Sequence, residues 1–180
     1  MLITISGLPG SGKTTVARLV AEALGLEHVY AGDIFRRQAG AHGLSLEEYA
    51  RRAATDHSID RALDDQMRAR AARGNAVLEG RLAAFMADEA GAPALRVFLY
   101  ASEPVRAERI AGREGGEAEE RLRQIQEREA ADASRYRQIY GVDYHDRRRY
   151  DLVLQSDGRS PEDLAAEIVE HARRRPKALP

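Results

Sequence analysis

The chain opens with an apolar run, Leu2-Ile3-Thr4-Ile5, that leads into Gly7-Leu8-Pro9-Gly10-Ser11-Gly12-Lys13-Thr14-Thr15. The spacing G-x-x-x-x-G-K-[ST] constrains the fold more than any other feature, because it dictates what must precede and follow it. Glycines let the backbone turn tightly and approach a polyphosphate closely, so that successive N–H groups can point at its oxygens. Lys13 then supplies a positive charge for the β- and γ-phosphates, and the Thr14 hydroxyl is the expected protein ligand of Mg²⁺. Behind the loop, Val16, Leu19, Val20, Ala23 and Leu24 fall at i, i+3, i+4, i+7 and i+8, one apolar stripe of a helix that Gly25 closes as its C′ residue. Strand, loop and helix follow in the order that brings a helix N-terminus, with its partial positive charge, against the anion. A glycine loop that merely turns the chain is the alternative reading.

At 180 residues the chain suits one domain, which can bury roughly 70% of its unfolded surface. Cysteine is absent, so there is neither a disulfide framework nor a thiolate site. No basic segment followed by an apolar stretch precedes the first strand, and no apolar run approaches the length of a membrane span; a cytoplasmic protein with no membrane partner is expected. The formal net charge of −1 argues against a chain that coats long nucleic acid. Of 28 lysines and arginines only Lys13 and Lys177 are lysine. The planar fork of arginine grips phosphate in two places, so some arginines are candidate substrate ligands and the others charged surface. The histidines are scattered without metal-ligand spacing, and no Ser or Cys nucleophile signature appears. Both absences suit phosphoryl transfer, where positioning and charge do nearly all the work.

Along the chain, residues 26–30 read as a second strand, broken by Ala31-Gly32-Asp33 before a helical pattern from Ile34. In doubly wound sheets ligands bind beyond the carboxyl ends of the strands, which puts Asp33 and Arg36 on the ligand edge; a simple N-cap and a solvated helix residue are the other readings. Residues 43–74 are helical, with a capping box at Ser45 and Glu48, a break near 55–58, and a thin stripe of Leu44, Leu46, Tyr49, Ile59, Leu63 and Met67. Such a segment reads as a small lobe leaning on the core. The third strand ends in Glu79-Gly80-Arg81, and Glu79 is either an acid holding Mg²⁺, directly or through water, or a solvated strand-end carboxylate. After a fourth strand at 95–100, Ser102-Glu103-Pro104 opens a helix on which Arg106, Arg109 and Arg113 share a face. Gly112 and Gly115-Gly116 interrupt it, as a closing lid or an ordinary turn would. The helix from about Glu117 to Tyr140 carries Arg121, Ile125, Arg128, Asp132 and Arg135 on one stripe, a pattern that a solvated face laced with ion pairs also produces. A fifth strand at 150–155, a last helix capped by Ser160 with Pro161 at N1, and a basic tail that frays from Arg173 complete the chain.

The cradle and Lys13 account for one nucleotide. Arg36, Arg81, Arg128 and Arg135 remain to receive a second anion, with Arg109 and Arg113 between. A hydrolase alone does not need them, whereas a kinase whose acceptor is itself a phosphate must offset the repulsion between two anions brought to contact. The motifs G-L-P-G-S-G-K-T-T, A-G-D-I-F-R (31–36), V-L-E-G-R-L-A (77–83), R-I-A-G-R-E (109–114), E-R-E-A-A-D-A-S-R-Y (127–136) and I-Y-G-V-D (139–143) give the chain its resemblance to the nucleoside monophosphate kinases, most closely the short, archaeal-type cytidylate kinases, over nearly its whole length.

That resemblance implies an α/β fold: a P-loop, doubly wound, five-stranded parallel sheet as core (1–30, 74–109 and 118–180), a helical acceptor-binding lobe at about 31–73 and a short lid at about 110–117. It implies ATP as phosphoryl donor on residues 7–15, Mg²⁺, and CMP or dCMP as acceptor; a monomer is expected. Asp33, Arg36 and Arg81 would hold the acceptor monophosphate. Arg128 and Arg135 would clamp phosphates in the closed state, and Asp132 would meet the acceptor ribose. Arg109 would lie against adenine, with Arg113 on the donor phosphates. Longer bacterial cytidylate kinases carry G-R-D-x-G after the third strand; here Arg81 is followed by Leu82 and Ala83, so their base-reading residues do not carry over. Gln66, Asp60 and Asp64 are candidates from the lobe, with ordinary surface residues as the other reading. A P-loop kinase for another acceptor, such as AMP or shikimate, and a switch or assembly protein that only hydrolyses ATP remain as alternatives.

Overall fold

The computed structural model describes residues 1–175. Strands β1 (Leu2–Gly7), β2 (Glu27–Tyr30), β3 (Ala76–Glu79), β4 (Leu95–Tyr100) and β5 (Leu152–Gln155) form one sheet in the order β2-β3-β1-β4-β5, every neighbouring pair parallel. After β1 the chain goes to one edge, returns beside β1 with β3, then crosses to the other side with β4 and β5. The crevice at the carboxyl end of β1, between those two halves, is where doubly wound sheets bind ligands.

Helices cover both faces, which is why the central strand is buried at all six positions, the polar Thr4 and Ser6 included. On one face Ile3, Ile5, Val97 and Leu99 pack against Val16 and Val20 of α1 (Lys13–Leu24) and Leu164 and Ile168 of α8 (Pro161–Arg174). On the other, Leu2 and Leu78 meet Met67 of α4 (His57–Ala72), Met86 of α5 (Ala83–Glu89) and Tyr136 of α7 (Ala118–Tyr140). The remaining helices are α2 (Ala31–Ala41), α3 (Leu46–Ala53) and α6 (Glu103–Glu114). Helices α2, α3 and α4 share a small cluster of Ala39, Tyr49, Ala53 and Ile59, while Met67 and Ala71 of α4 belong to the main core.

Several local expectations hold. Gly25 caps α1 at φ 63°, Ser45 and Glu48 form the capping box of α3, and the Ser160 side chain accepts from Asp163 N. Others are corrected. α2 begins at Ala31, directly after β2, so Asp33 lies inside its first turn and caps nothing. Gly112 lies within α6, which narrows the break before α7 to residues 115–117. Leu46 is exposed and not part of the packed stripe. α5 is an addition: its buried positions, Ala83, Ala84, Met86 and Ala87, are too small and too evenly spread to mark a stripe in the sequence. β5 starts at Leu152, behind a 3-10 turn at Arg147–Arg149. The tail expected to fray from Arg173 is helical for two more residues, Arg173 and Arg174 being in the last turn of α8, and residues 176–180 lie outside the described residues. Among those described, no helix is long and apolar enough to cross a membrane.

Candidate active site

The loop after β1 is shaped by two glycines that no other residue could replace. At Gly7 (φ 147°) a Cβ would stand 1.9 Å from Leu99 O, because β1 and β4 approach there without room for a side chain. At Gly10 (φ 77°) it would stand 2.8 Å from Arg106 O and 2.9 Å from Arg106 Cβ. Three loop carbonyls are then tied by side chains: Lys13 Nζ donates to Leu8 O at 2.7 Å, Arg106 Nη1 to Pro9 O at 3.3 Å, and Ser156 Oγ to Ser11 O at 3.0 Å. In a planar trans peptide the N–H points opposite to the C=O, so tying Pro9 O and Ser11 O to one side turns the amides of Gly10 and Gly12 to the other. The first N–H groups of α1 add to them, since a helix start leaves its amides without internal partners. The Ser11 hydroxyl is buried with no hydrogen-bond partner. The amides of Gly10, Gly12 and the helix start, an unpartnered hydroxyl and a lysine suit a polyphosphate, while Ser11 N donates to Leu8 O at 3.3 Å.

Lys13 itself is pushed down to about 7, by burial first and then by the like charge of Arg81, against the opposing pull of Glu79; Arg128 and Arg106 push the same way as Arg81. An anion in the cradle would relieve this. Glu79, 1% exposed at the end of β3, accepts from Thr14 Oγ1 at 2.7 Å and lies 2.9 Å from His28 Nε2. It is therefore no solvated strand-end acid. Hydroxyl and carboxylate side by side suit Mg²⁺, and among the described residues no three acidic, His or Cys groups cluster to hold a metal alone. An ion there would need phosphate oxygens to complete its shell, which is the usual way Mg²⁺ binds. His28 was passed over in the sequence because its pairing with β3, opposite Val77, is a tertiary fact.

On the acceptor side α4 and α7 face each other with charge. Arg81 Nε lies 2.7 Å from Asp132 Oδ2, Arg135 Nη2 donates to Asp132 Oδ1 at 2.8 Å, and Arg135 Nε lies 3.0 Å from Asp60 Oδ2. Asp60 and Asp132 are 6% and 5% exposed. Next to them Asp64 accepts from Tyr140 Oη at 2.7 Å; burial raises its carboxyl to about 6, although that hydrogen bond pulls it down. Asp60 and Asp64 are thus buried partners of α7 and not surface residues, while Gln66 is exposed. Arg128 has no carboxylate in ion-pair range among the described residues, and the neighbouring Arg81, followed by burial, holds it below the ordinary arginine range.

The other expected residues are placed differently. Arg36 pairs with Asp33 one turn before it, both exposed, with its guanidinium 5.2 Å from the Tyr30 ring centroid. Arg109 donates from Nη1 and Nη2 to Ser156 Oγ and O at 2.8 and 2.9 Å, and a Cβ at Gly12 would be 3.8 Å from it, so it borders the loop. Arg113 is 66% exposed and pairs with Glu114, outside both clusters. Ser156 and Arg106 brace the loop, and the sequence signals neither: the first follows a strand end and the second is one arginine of a shared helix face.

Residues 2–158 match the cytidylate kinase-like family. The cytidylate kinase of Methanopyrus kandleri is 48% identical over 179 residues, covering 96% of this chain and 92% of that protein. That of Pyrococcus horikoshii is 45% identical over 172 residues, covering 96% and 88%. Among solved structures, shikimate kinase from Acinetobacter baumannii matches with a TM-score of 0.65 at 20% identity, over 96% of this chain and 92% of that one. A gluconokinase from Sinorhizobium meliloti matches with a TM-score of 0.61 at 20% identity, over 96% and 91%. These structural matches carry the fold, a parallel five-stranded sheet shared with P-loop kinases. On the sequence relationship, the chain belongs to the cytidylate kinase-like family.

Proposed function

We propose that the protein transfers the γ-phosphate of ATP to CMP or dCMP, giving ADP and CDP or dCDP. A phosphate oxygen of the acceptor bonds to the γ-phosphorus as the bond to the β,γ-bridging oxygen breaks. That oxygen is already anionic, so no general base is needed.

The observation that carries this reading is the convergence of Lys13, Arg81 and Arg128. The donor lysine, Arg81 from the turn after β3 and Arg128 from α7 are close enough for the arginines to depress the lysine. Cations are assembled like this at a cost only where anions will offset it. In this reading the amides of Gly10, Gly12 and the first residues of α1 hold the β- and γ-phosphates, with Lys13 across them. Thr14 and Glu79 hold Mg²⁺, which supplies charge neutralisation between the phosphates when bound. Arg81 and Arg36, with Asp33, receive the acceptor phosphate; Arg128 and Arg135 stabilise the charge that develops in transfer; Asp132 orients Arg81 and Arg135 and meets the acceptor ribose. Residues 31–73 form the acceptor lobe and residues 110–117 the lid, with Arg113 on the lid reaching the donor phosphates and Arg109, just before it, lying against adenine.

Incubation with ATP and Mg²⁺ against a panel of CMP, dCMP, UMP, AMP and shikimate, with the diphosphate product identified, tests the proposal. CMP and dCMP are expected to lead. Faster turnover of AMP would reassign the acceptor, and ADP released at one rate with or without CMP would leave a hydrolase.

A further inference from the structure

Arg106 is 2% exposed, the largest fully buried side chain among the described residues. Arginine is almost never fully buried unless paired, and a guanidinium taken out of water must find compensation. The compensation here comes from two elements. Nη1 donates to Pro9 O at 3.3 Å, in the phosphate loop, and the same nitrogen pairs closely with Glu129 Oε1 on α7. The backbone of Arg106 is also the surface on which Gly10 rests, at a distance that excludes a Cβ. Among the described residues no other side chain bonds both a carbonyl of the loop and a carboxylate of α7. Lys13 and Ser156 hold Leu8 O and Ser11 O, but the peptide between Pro9 and Gly10 depends on Arg106 alone.

Resting on the kinase reading above, we propose that Arg106 and Glu129 are a positioning pair: they hold the Pro9–Gly10 peptide with its amide turned into the donor site, and set α7, one residue from Arg128, against the loop. The argument is geometric. A loop of glycines has many conformations, and the amide of Gly10 serves an anion only in those where Pro9 O is turned away from the site. A buried donor on Pro9 O selects them before the nucleotide arrives. The donor must be charged to bond carbonyl and carboxylate together, and rigid enough to reach both, which suits a guanidinium better than an ammonium. Glu129 makes the buried charge tolerable and carries the constraint onward to the helix of Arg128 and Asp132. The pair touches no reacting atom; it acts through the groups that do.

Steady-state kinetics of Arg106→Met and Arg106→Lys test this, with each substrate varied in turn and a non-hydrolysable ATP analogue titrated calorimetrically. Arg106→Met is expected to weaken the analogue about tenfold or more and to lower kcat, with the CMP KM within about twofold of wild type. Arg106→Lys is expected to recover part of the loss. A folded Arg106→Met with unchanged analogue affinity, or with equal losses for donor and acceptor, would overturn the proposal by leaving the residue a purely structural role. Should that variant not fold, Glu129→Gln is read by the same constants: analogue affinity is expected to fall several-fold with CMP spared, and an unchanged value would be equally decisive against the pair. If wild type fails to phosphorylate CMP, the acceptor assignment goes, while the analogue titration still measures what Arg106 does for the donor loop.

Discussion

At the scale of single residues the site is a problem in charge. Lys13 and three arginines would repel one another in an empty crevice, and the carboxylates assigned to the cluster neutralise only some of them: Asp132 serves Arg81 and Arg135, Asp60 serves Arg135, and Arg128 is left without an acidic partner in range among the described residues. The unneutralised guanidinium is the one most exposed to what a substrate brings. Arg128→Ala is therefore expected to lower kcat by about 10³ or more, as loss of a transition-state arginine does in related chemistry, while ATP-analogue affinity changes by about threefold or less. Equal losses in both would move Arg128 from the reaction to ground-state binding. Arg81 is different. Burial works against its charge, and Asp132, with Tyr136, Tyr144 and Tyr30 nearby, outweighs that cost and raises it. It is a preset acceptor of anions and not a free one.

The element that couples these charges is the α4–α7 contact. Asp60 and Asp64 lie one turn apart on α4 and both face α7, where Arg135 and Tyr140 meet them. The Asp64 carboxyl is raised to about 6, chiefly by burial, so the folded protein binds this proton more tightly than the unfolded chain does. Its ionisation consequently costs stability above about pH 6, and the cost is relieved as pH falls from 6 towards 4. Asp64→Asn keeps an acceptor for Tyr140 and removes the ionisation. It should be more stable than wild type at pH 8, by on the order of 2 kcal/mol, with the gap closing by about pH 4 in denaturant titrations. A difference that does not vary with pH would place the cost elsewhere.

The same contact marks where reading from sequence stops. β1, β3 and β4 were legible because a buried parallel strand is a short, mostly apolar run with turn residues at its ends, and α1 because a glycine-lysine loop dictates a helix behind it. Periodicity on α7 gave the stripe of Arg128, Asp132 and Arg135, but a stripe says which side chains share a face and not what covers it. Asp60 and Asp64 looked like surface for that reason. Arg106 failed by the opposite route: arginine is so often exposed that its burial beneath the loop had no signature. α5 had none either, since alanine fits any face. The loop and its Thr14–Glu79 companion were readable because their chemistry demands fixed spacing and a strand end; the acceptor-side ion pairs were not, because they join segments whose proximity only the fold supplies.

For the molecule as a whole, the proposed ligand site lies where the two halves of the sheet separate, so the nucleotide contacts proposed above would span the ends of β1 and β3 together with α1, α6 and α7. Binding there should stabilise the global fold and not only the loop. A ligand that binds only the native state at about 100 times its Kd adds about 2.7 kcal/mol. For a chain of this size each kcal/mol moves Tm by roughly 2–4 °C, which gives a rise of about 5 to 10 °C with ATP and Mg²⁺. Because Thr14 and Glu79 were assigned to the ion, a chelator should remove much of that rise while sparing the unliganded Tm. Lys13→Met should abolish the rise without lowering the unliganded Tm, since it removes a cation that the empty crevice holds at a cost. A Tm indifferent to ATP in the native protein, or a Lys13→Met variant that still responds fully, would mean that the loop's amides do not serve a polyphosphate, and the donor half of the proposed reaction would have to be given up.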